Sequence, residues 1–262
     1  MQLSASVSFM FREVPLLARF AAARTAGFAG VEIQRLAEGP VGEMARAARD
    51  AKVQVALVNV GSGDYVAGGD GLAGVPGREE QFREALEQAL DAAATLGAMH
   101  VHLGPSRVPT GMSRDACLHT YLANVRLALC LSRATGASLL IEAMNREEAP
   151  TALLSDHHQA ADVVRGLGSQ RLGLQFDVYH VAMNGDDPGT AFEAVQSITR
   201  HVQFADTPGR HEPGTGRLDI PAILHGMSRC GYTGWYGAEY HPHRTTAESL
   251  GWLAAVQQRG AP

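Results

Sequence analysis

Apolar, strand-like runs alternate with helix-like stretches from one end of the chain to the other. The first run covers residues 3–9, and an Ala-rich helix follows over 14–26, with Gly27 placed to cap it. Gly30–Ile33 is the second strand, and a helix over Val41–Ala51 leads to a β-branched third strand at 53–60. The segment 61–77 holds seven glycines and no periodicity, so it is a long loop. A helix over 78–96 ends at Gly97, and strand four covers 99–103. Ser113 is suited to cap a helix that runs to about 135 and stops at Gly136. Strands at 138–142, 172–177, 201–206 and 235–239 are separated by helices at 156–166, 189–197 and 219–229, and a helix over 245–257 closes the chain. A second rigid loop lies at 208–216.

Eight strands and eight helices in strict alternation, with no linker or break in composition, predict an α/β fold. They fit one (β/α)8 TIM barrel as a single domain over residues 1–262. An open doubly wound sheet is the rival, but it usually carries a glycine-rich phosphate loop after strand one. Here that place reads Met10-Phe11-Arg12-Glu13.

The last four strands each finish on a polar residue suited to a metal. Parallel strands joined by helices point the same way, so their C-terminal ends meet on the face where barrels carry their sites. Glu142, Asp177, Gln203 and Glu239 are 35, 26 and 36 residues apart, about one strand and one helix each. Three carboxylates and an amide oxygen form a hard donor set without thiolate, which favours Mg2+ or Mn2+ over Zn2+.

Other residues fall near this face. His180 follows Asp177 by three positions and can hydrogen-bond a substrate oxygen. Arg210, in a loop stiffened by Pro208 and Pro213, offers a planar fork for a carboxylate. Glu148 follows Glu142 by six residues and can contact a substrate hydroxyl. His100 and His102 alternate along strand four and share one side of it, and the adjacent His157 and His158 read as a surface pair.

Composition narrows the partners. A net charge of −5 without a basic run argues against a nucleic-acid groove, and no apolar run is long enough to span a membrane. The start, Met1-Gln2-Leu3-Ser4, does not resemble a signal peptide. Three cysteines, Cys117, Cys130 and Cys230, form no metal or disulfide framework and read as small buried residues on helices. A cytoplasmic enzyme of a small-molecule substrate is expected, and a homo-oligomer is open.

The chain resembles the hydroxypyruvate isomerase family of xylose-isomerase-like barrels. The matching pieces are residues 76–83, Leu140-Ile141-Glu142 with Asn145, Gln175-Phe176-Asp177-Val178-Tyr179-His180, the loop 208–216, and Glu239-Tyr240. The resemblance implies interconversion of hydroxypyruvate and tartronate semialdehyde, or of related keto acids. It implies Glu142 and Glu239 as paired acid/base groups, with Asp177 and Gln203 helping to form the metal site. Departures fall at Ser6, Val58-Asn59, Ala143 and His241, so the substrate is less fixed than the chemistry. A ketose 3-epimerase, a phosphodiester nuclease and an inactive binding protein are the alternatives.

Overall fold

The structure, a computed structural model, describes residues 1–258. The last four residues of the expected domain lie outside that range. The strands are β1 (Gln2–Ser6), β2 (Gly30–Ile33), β3 (Gln54–Asn59), β4 (His100–His102), β5 (Ser138–Ile141), β6 (Leu172–Asp177), β7 (Thr199–Phe204) and β8 (Trp235–Ala238). They pair in sequence order, all parallel, and β8 returns to β1 to close the barrel. The helices are α1 (Leu16–Thr25), α2 (Val41–Ala51), α3 (Glu79–Leu96), α4 (Arg114–Leu131), α5 (His157–Leu167), α6 (Val178–Met183), α7 (Pro188–Val195), α8 (Ile220–Arg229) and α9 (Leu253–Gln258).

Some local expectations change. The turn α6 follows β6 directly, because Asp177 accepts the Tyr179 backbone N–H at 2.8 Å and caps it. His180 therefore sits on a helix rather than in a loop. The stretch expected to open the closing helix is a 3-10 turn, Ala247–Trp252. Thr246 is tied to Glu13 and Phe11, and Ser249 to Tyr240, which anchors that stretch to the barrel wall. Gly136 caps nothing, since α4 stops at Leu131 and runs into a 3-10 turn. Cys117 is buried as expected, but Cys130 and Cys230 are exposed, near the ends of α4 and α8. His157 is buried with its ring against Phe176, and only His158 faces outward. Consecutive helix positions point about 100° apart, so one of the pair enters the core.

Two faces of the strands divide the chemistry. Ala5, Val31, Ile33, Val101, Phe176 and Val202 belong to the apolar cluster. Their neighbours in the strands are polar and mostly buried: Ser4 and Ser6, Glu32 and Gln34, His100 and His102, Gln175 and Asp177, His201 and Gln203. Spacing by two places each such pair on one face of its strand. Barrel interiors are more often filled with Val, Ile and Leu; this one carries a hydrogen-bonded polar chain. The strand register shifts between Val31 and Glu32 and between Leu174 and Gln175, in each case just before a member of that chain.

Gly237 in β8 makes room for this chain. A Cβ there would lie 1.8 Å from Glu32 Oε1. Gly237→Ala should destabilise the barrel by about 1–3 kcal/mol through overpacking, measured by urea unfolding. His100 provides a second check. Burial first, then His201 and Arg200, push its pKa down to about 3. An unfolded histidine titrates near 6.5, so between those values only the unfolded chain binds the proton, and stability falls as pH drops. His100→Gln should remove about 2 kcal/mol of the stability lost between pH 7 and pH 5. Urea unfolding of both proteins at the two pH values reads this directly.

Candidate active site

The C-terminal ends of β5 to β8 bring Glu142, Asp177, Gln203 and Glu239 to one end of the barrel, all of them buried. A cavity of about 340 Å3 opens there, with Glu142, Gln175, His180, Arg210 and Glu239 in its wall. Ligand atoms of Glu142, Asp177 and His180 lie within 4.8 Å of one another. His102 reaches the same place, its Nε2 3.6 Å from Glu142 Oε2.

Arg210 occupies the centre of the acids. Its Nη2 lies 2.5 Å from Glu239 Oε2 and 3.4 Å from Asp177 Oδ2, and its Nη1 3.8 Å from Glu148 Oε2. The fork expected to face a substrate carboxylate is thus shared among the protein's own acids. The Arg210 backbone has φ of 53°, in the left-handed region, and its carbonyl accepts the His241 N–H at 2.9 Å. Asp206 shapes this loop, accepting backbone N–H groups of Thr207, Gly214, Gly216 and Leu218. It ends the third metal-like run in the sequence, but its lone pairs are spent on the loop.

Like charges and burial tune the carboxyls. Burial, then Asp177 and Glu239, hold Glu142 well above the ordinary range. Burial pushes Glu239 up to about 8 against the opposing pull of Arg210. Burial likewise raises Asp177, again opposed by Arg210. Raising a carboxyl above its ordinary range brings it closer to a group that can both take and give a proton.

Gln203 is oriented from below. Its Nε2 donates to Glu32 Oε2 at 2.6 Å, and its Oε1 accepts from Gln175 Nε2 at 2.7 Å. An ionised carboxylate only accepts, so the Gln203 amide must point its NH2 at Glu32 and its oxygen the other way. Glu32 also accepts from Ser4 Oγ at 2.7 Å and Gln34 Nε2 at 3.1 Å, and lies 2.8 Å from His201 Nε2. Burial raises the Glu32 pKa, but His201, Ser4 and Gln203 outweigh it and the net shift is downward. Glu32 had no assigned role in the sequence reading. A lone acid inside the apolar run Gly30–Ile33 was the available sign.

The proton on His180 can be located by following donors. The Glu148 backbone N–H donates to Asn145 Oδ1 at 2.8 Å, which fixes that amide. Asn145 Nδ2 then donates to His180 Nδ1 at 2.8 Å, and the Asn145 backbone N–H approaches the same nitrogen at 3.3 Å. Nδ1 is an acceptor, so the proton of the neutral ring is on Nε2. Burial, then Arg210 and His102, keep His180 well below its ordinary pKa and hence neutral. Nε2–H points toward Asp177 Oδ2, 3.6 Å away, and is a donor in this tautomer rather than a metal ligand. Glu148 also accepts the Tyr179 phenol at 2.5 Å and Asn145 Nδ2 at 3.2 Å. Asn145→Asp replaces the donor with an acceptor and should move the His180 proton to Nδ1. Long-range 1H–15N correlation spectra distinguish the two tautomers.

The donor set suits a hard divalent cation. Glu142 Oε1 and Gln175 Oε1 are buried and have no hydrogen-bond partner among the described residues. With the oriented Gln203 oxygen and the Asp177 and Glu239 carboxylates, they make a predominantly oxygen environment. The positions at which the chain departs from the family pattern are also in or near the cavity. Asn59 and His241 line it, and Ser6 donates to Gln34, another lining residue.

Known proteins share the family and the fold. The pattern of the xylose isomerase-like TIM barrel family matches residues 20–256. A 2-oxo-tetronate isomerase of Cupriavidus necator is 36% identical, the match covering 95% of this chain and 96% of the relative. A hydroxypyruvate isomerase of Escherichia coli is 33% identical over 97% of this chain and 98% of its own. A Brucella melitensis structure described as an AP endonuclease of family 2 superposes with a TM-score of 0.91 at 33% identity, covering 97% of this chain and 98% of that one. Among the described residues, no helix is long and apolar enough to cross a membrane.

Proposed function

The chain belongs to the xylose isomerase-like TIM barrel family, and from that premise we propose that it isomerises a small 2-oxo acid by proton transfer through an enediolate. Hydroxypyruvate ⇌ tartronate semialdehyde, or the corresponding reaction of a four-carbon acid, is the reaction class. The isomerase names of full-length relatives support it. The observation that carries it is the buried pair Glu142 and Glu239 in the wall of one cavity with His180, both held above the ordinary carboxyl range.

Glu142, Asp177, Gln203 and Glu239 would hold Mg2+ or Mn2+. When bound, such an ion polarises the substrate carbonyl and offsets the charge of the enediolate. The chain's residues account for the proton movements. One of Glu142 and Glu239 takes a proton from C3 of hydroxypyruvate, and a carboxyl returns a proton to C2. The C3 hydroxyl proton ends on the C2 oxygen, so atoms and charge balance. His180 Nε2–H donates to the substrate oxygen on which charge grows, and Glu148 meets a hydroxyl. Arg210 offsets the acids and keeps Glu239 from being protonated too tightly.

Reaction in D2O should place deuterium on the carbon that gains the proton, read by NMR of the product. Glu142→Gln and Glu239→Gln retain an oxygen but cannot act as bases, and each should lose turnover by roughly 100-fold or more. Asp177→Ala should weaken Mn2+ binding, read by calorimetry, while the circular dichroism of the barrel persists. Product free of deuterium after many turnovers, with an active Glu239→Gln variant, would remove the two-glutamate scheme in favour of a hydride shift. Deuterium at C3 of a ketose with the carbonyl unmoved would instead identify a 3-epimerase.

A further inference from the structure

Three arginines line the active-site cavity: Arg35, Arg107 and Arg210. Arg210 is shared among Glu239, Asp177 and Glu148. Arg35 pairs with Glu38 at 3.4 Å and stands over the Phe9 ring. Arg107 has no carboxylate within 4 Å among the described residues, so its charge is uncommitted to any acid.

Arg107 is nevertheless held firmly. Its backbone N–H donates to Asp70 O at 2.8 Å, and the residue bridges to Ala152 on the other side. The connections after β3, β4 and β5 are thus laced together at this point. Gly71 fits that lacing: its φ is 80°, and a Cβ would meet Pro105 O at 2.8 Å. The side chain is fixed as well. Nη1 donates to Tyr65 O at 3.0 Å and Gly69 O at 2.5 Å, and the guanidinium carbon lies 3.9 Å from the Tyr65 ring centroid. Nη2 and Nε are left over as donors, in a group whose orientation is already set.

Tyr65 supplies a second, independent observation. It is 8% exposed, lines the same cavity, and its hydroxyl has no hydrogen-bond partner among the described residues. Burial pushes its pKa up to about 12, so the group is an O–H donor at neutral pH. Arg107, Glu142, Glu148 and Arg210 all act electrostatically on that hydroxyl. A buried donor without an acceptor costs free energy until a ligand supplies one.

We propose that Arg107 and the Tyr65 hydroxyl form the subsite that takes the substrate's carboxylate, and that this pair selects 2-oxo acids over neutral ketoses. The proposal rests on the isomerase reading above and deepens it. A guanidinium with two free donors matches a carboxylate edge, and the phenol adds a third donor. Arg210 then balances the acids at the reacting carbons while Arg107 binds the unreactive end of the substrate.

The test compares hydroxypyruvate with dihydroxyacetone, the same three-carbon hydroxyketone with CH2OH in place of the carboxylate. Arg107→Met should raise KM for hydroxypyruvate roughly 10- to 100-fold, the loss expected of a charge-assisted bidentate contact, with a much smaller change in kcat. KM for dihydroxyacetone should rise by less than about threefold, within the effect of a neutral contact. Tyr65→Phe should shift the same preference in the same direction by a smaller factor. Equal losses on both substrates would mean that Arg107 only holds the loops, and an unchanged hydroxypyruvate KM would also overturn the proposal. Calorimetric titration with hydroxypyruvate in Mg2+ separates the two readings. Wild-type protein that binds it, weakened at least 10-fold by Arg107→Met, but turns over no 2-oxo acid, rejects the isomerase and keeps the subsite. Wild-type protein that does not bind it rejects the subsite.

Discussion

A carboxylate can be taken into a barrel interior only if donors surround it, and the fully buried Glu32 imposes that condition on the polar interior beneath the site. Desolvating one such ion costs several kcal/mol before compensation. Ser4, Gln34, His201 and Gln203, from β1, the end of β2 and β7, provide that compensation. Gln203 passes the constraint on to Gln175 in β6. The geometry at the mouth therefore depends on a group that never touches the cavity. The Gln203 oxygen is turned away from Glu32 and onto Gln175, which lines the cavity, because Glu32 accepts no other arrangement of that amide. Gly237 belongs to the same constraint, since the carboxylate occupies the space a side chain would need.

Much of the architecture was legible in the chain because a parallel barrel leaves a simple trace. Each strand-plus-helix unit returns at a regular interval, so the ends of β5 to β8 could be aligned by counting. The ranges of β2 and α2 match the expectation to the residue. The interior was not read, although its pattern was present. Ser4 and Ser6, Glu32 and Gln34, and His201 and Gln203 each repeat with period two, as His100 and His102 were seen to do. Short, largely apolar strands hide such a repeat, because two polar residues in five look like noise until neighbouring strands are aligned. His157 failed for a different reason: two adjacent histidines look solvated, but a helix turns by about 100° between them.

The site residues show what position does and does not imply. Glu142, Asp177, Gln203 and Glu239 are where strand order places them, whereas contacts depend on side chains that arrive from loops. Arg210 was identified by its loop and its fork, and nothing in the sequence showed that three acids would compete for it. Arg107 carries no motif. Its orientation comes from two backbone carbonyls and a ring donated by the β3 connection, a meeting of segments about forty residues apart in the chain. Asn145 was visible only as part of a resemblance, and its effect on His180 emerges once the Glu148 N–H fixes its amide.

The acid cluster works against the stability of the fold at neutral pH, and the sign can be followed through Glu239. Its folded pKa is raised to about 8, against an ordinary value of 4.5. Below 4.5 both folded and unfolded forms hold the proton. As pH rises from there toward 8, the unfolded chain releases it more readily, and the folded state loses relative stability. Glu142 and Asp177 shift in the same direction. Arg210 opposes the shift in all three, so a single guanidinium moderates repulsion that the barrel would otherwise bear alone. Binding a divalent cation to these carboxylates would act in the same sense as Arg210. The repulsion among these carboxylates is the same quantity that would favour a cation among them, so retention of such an ion would be linked to folding.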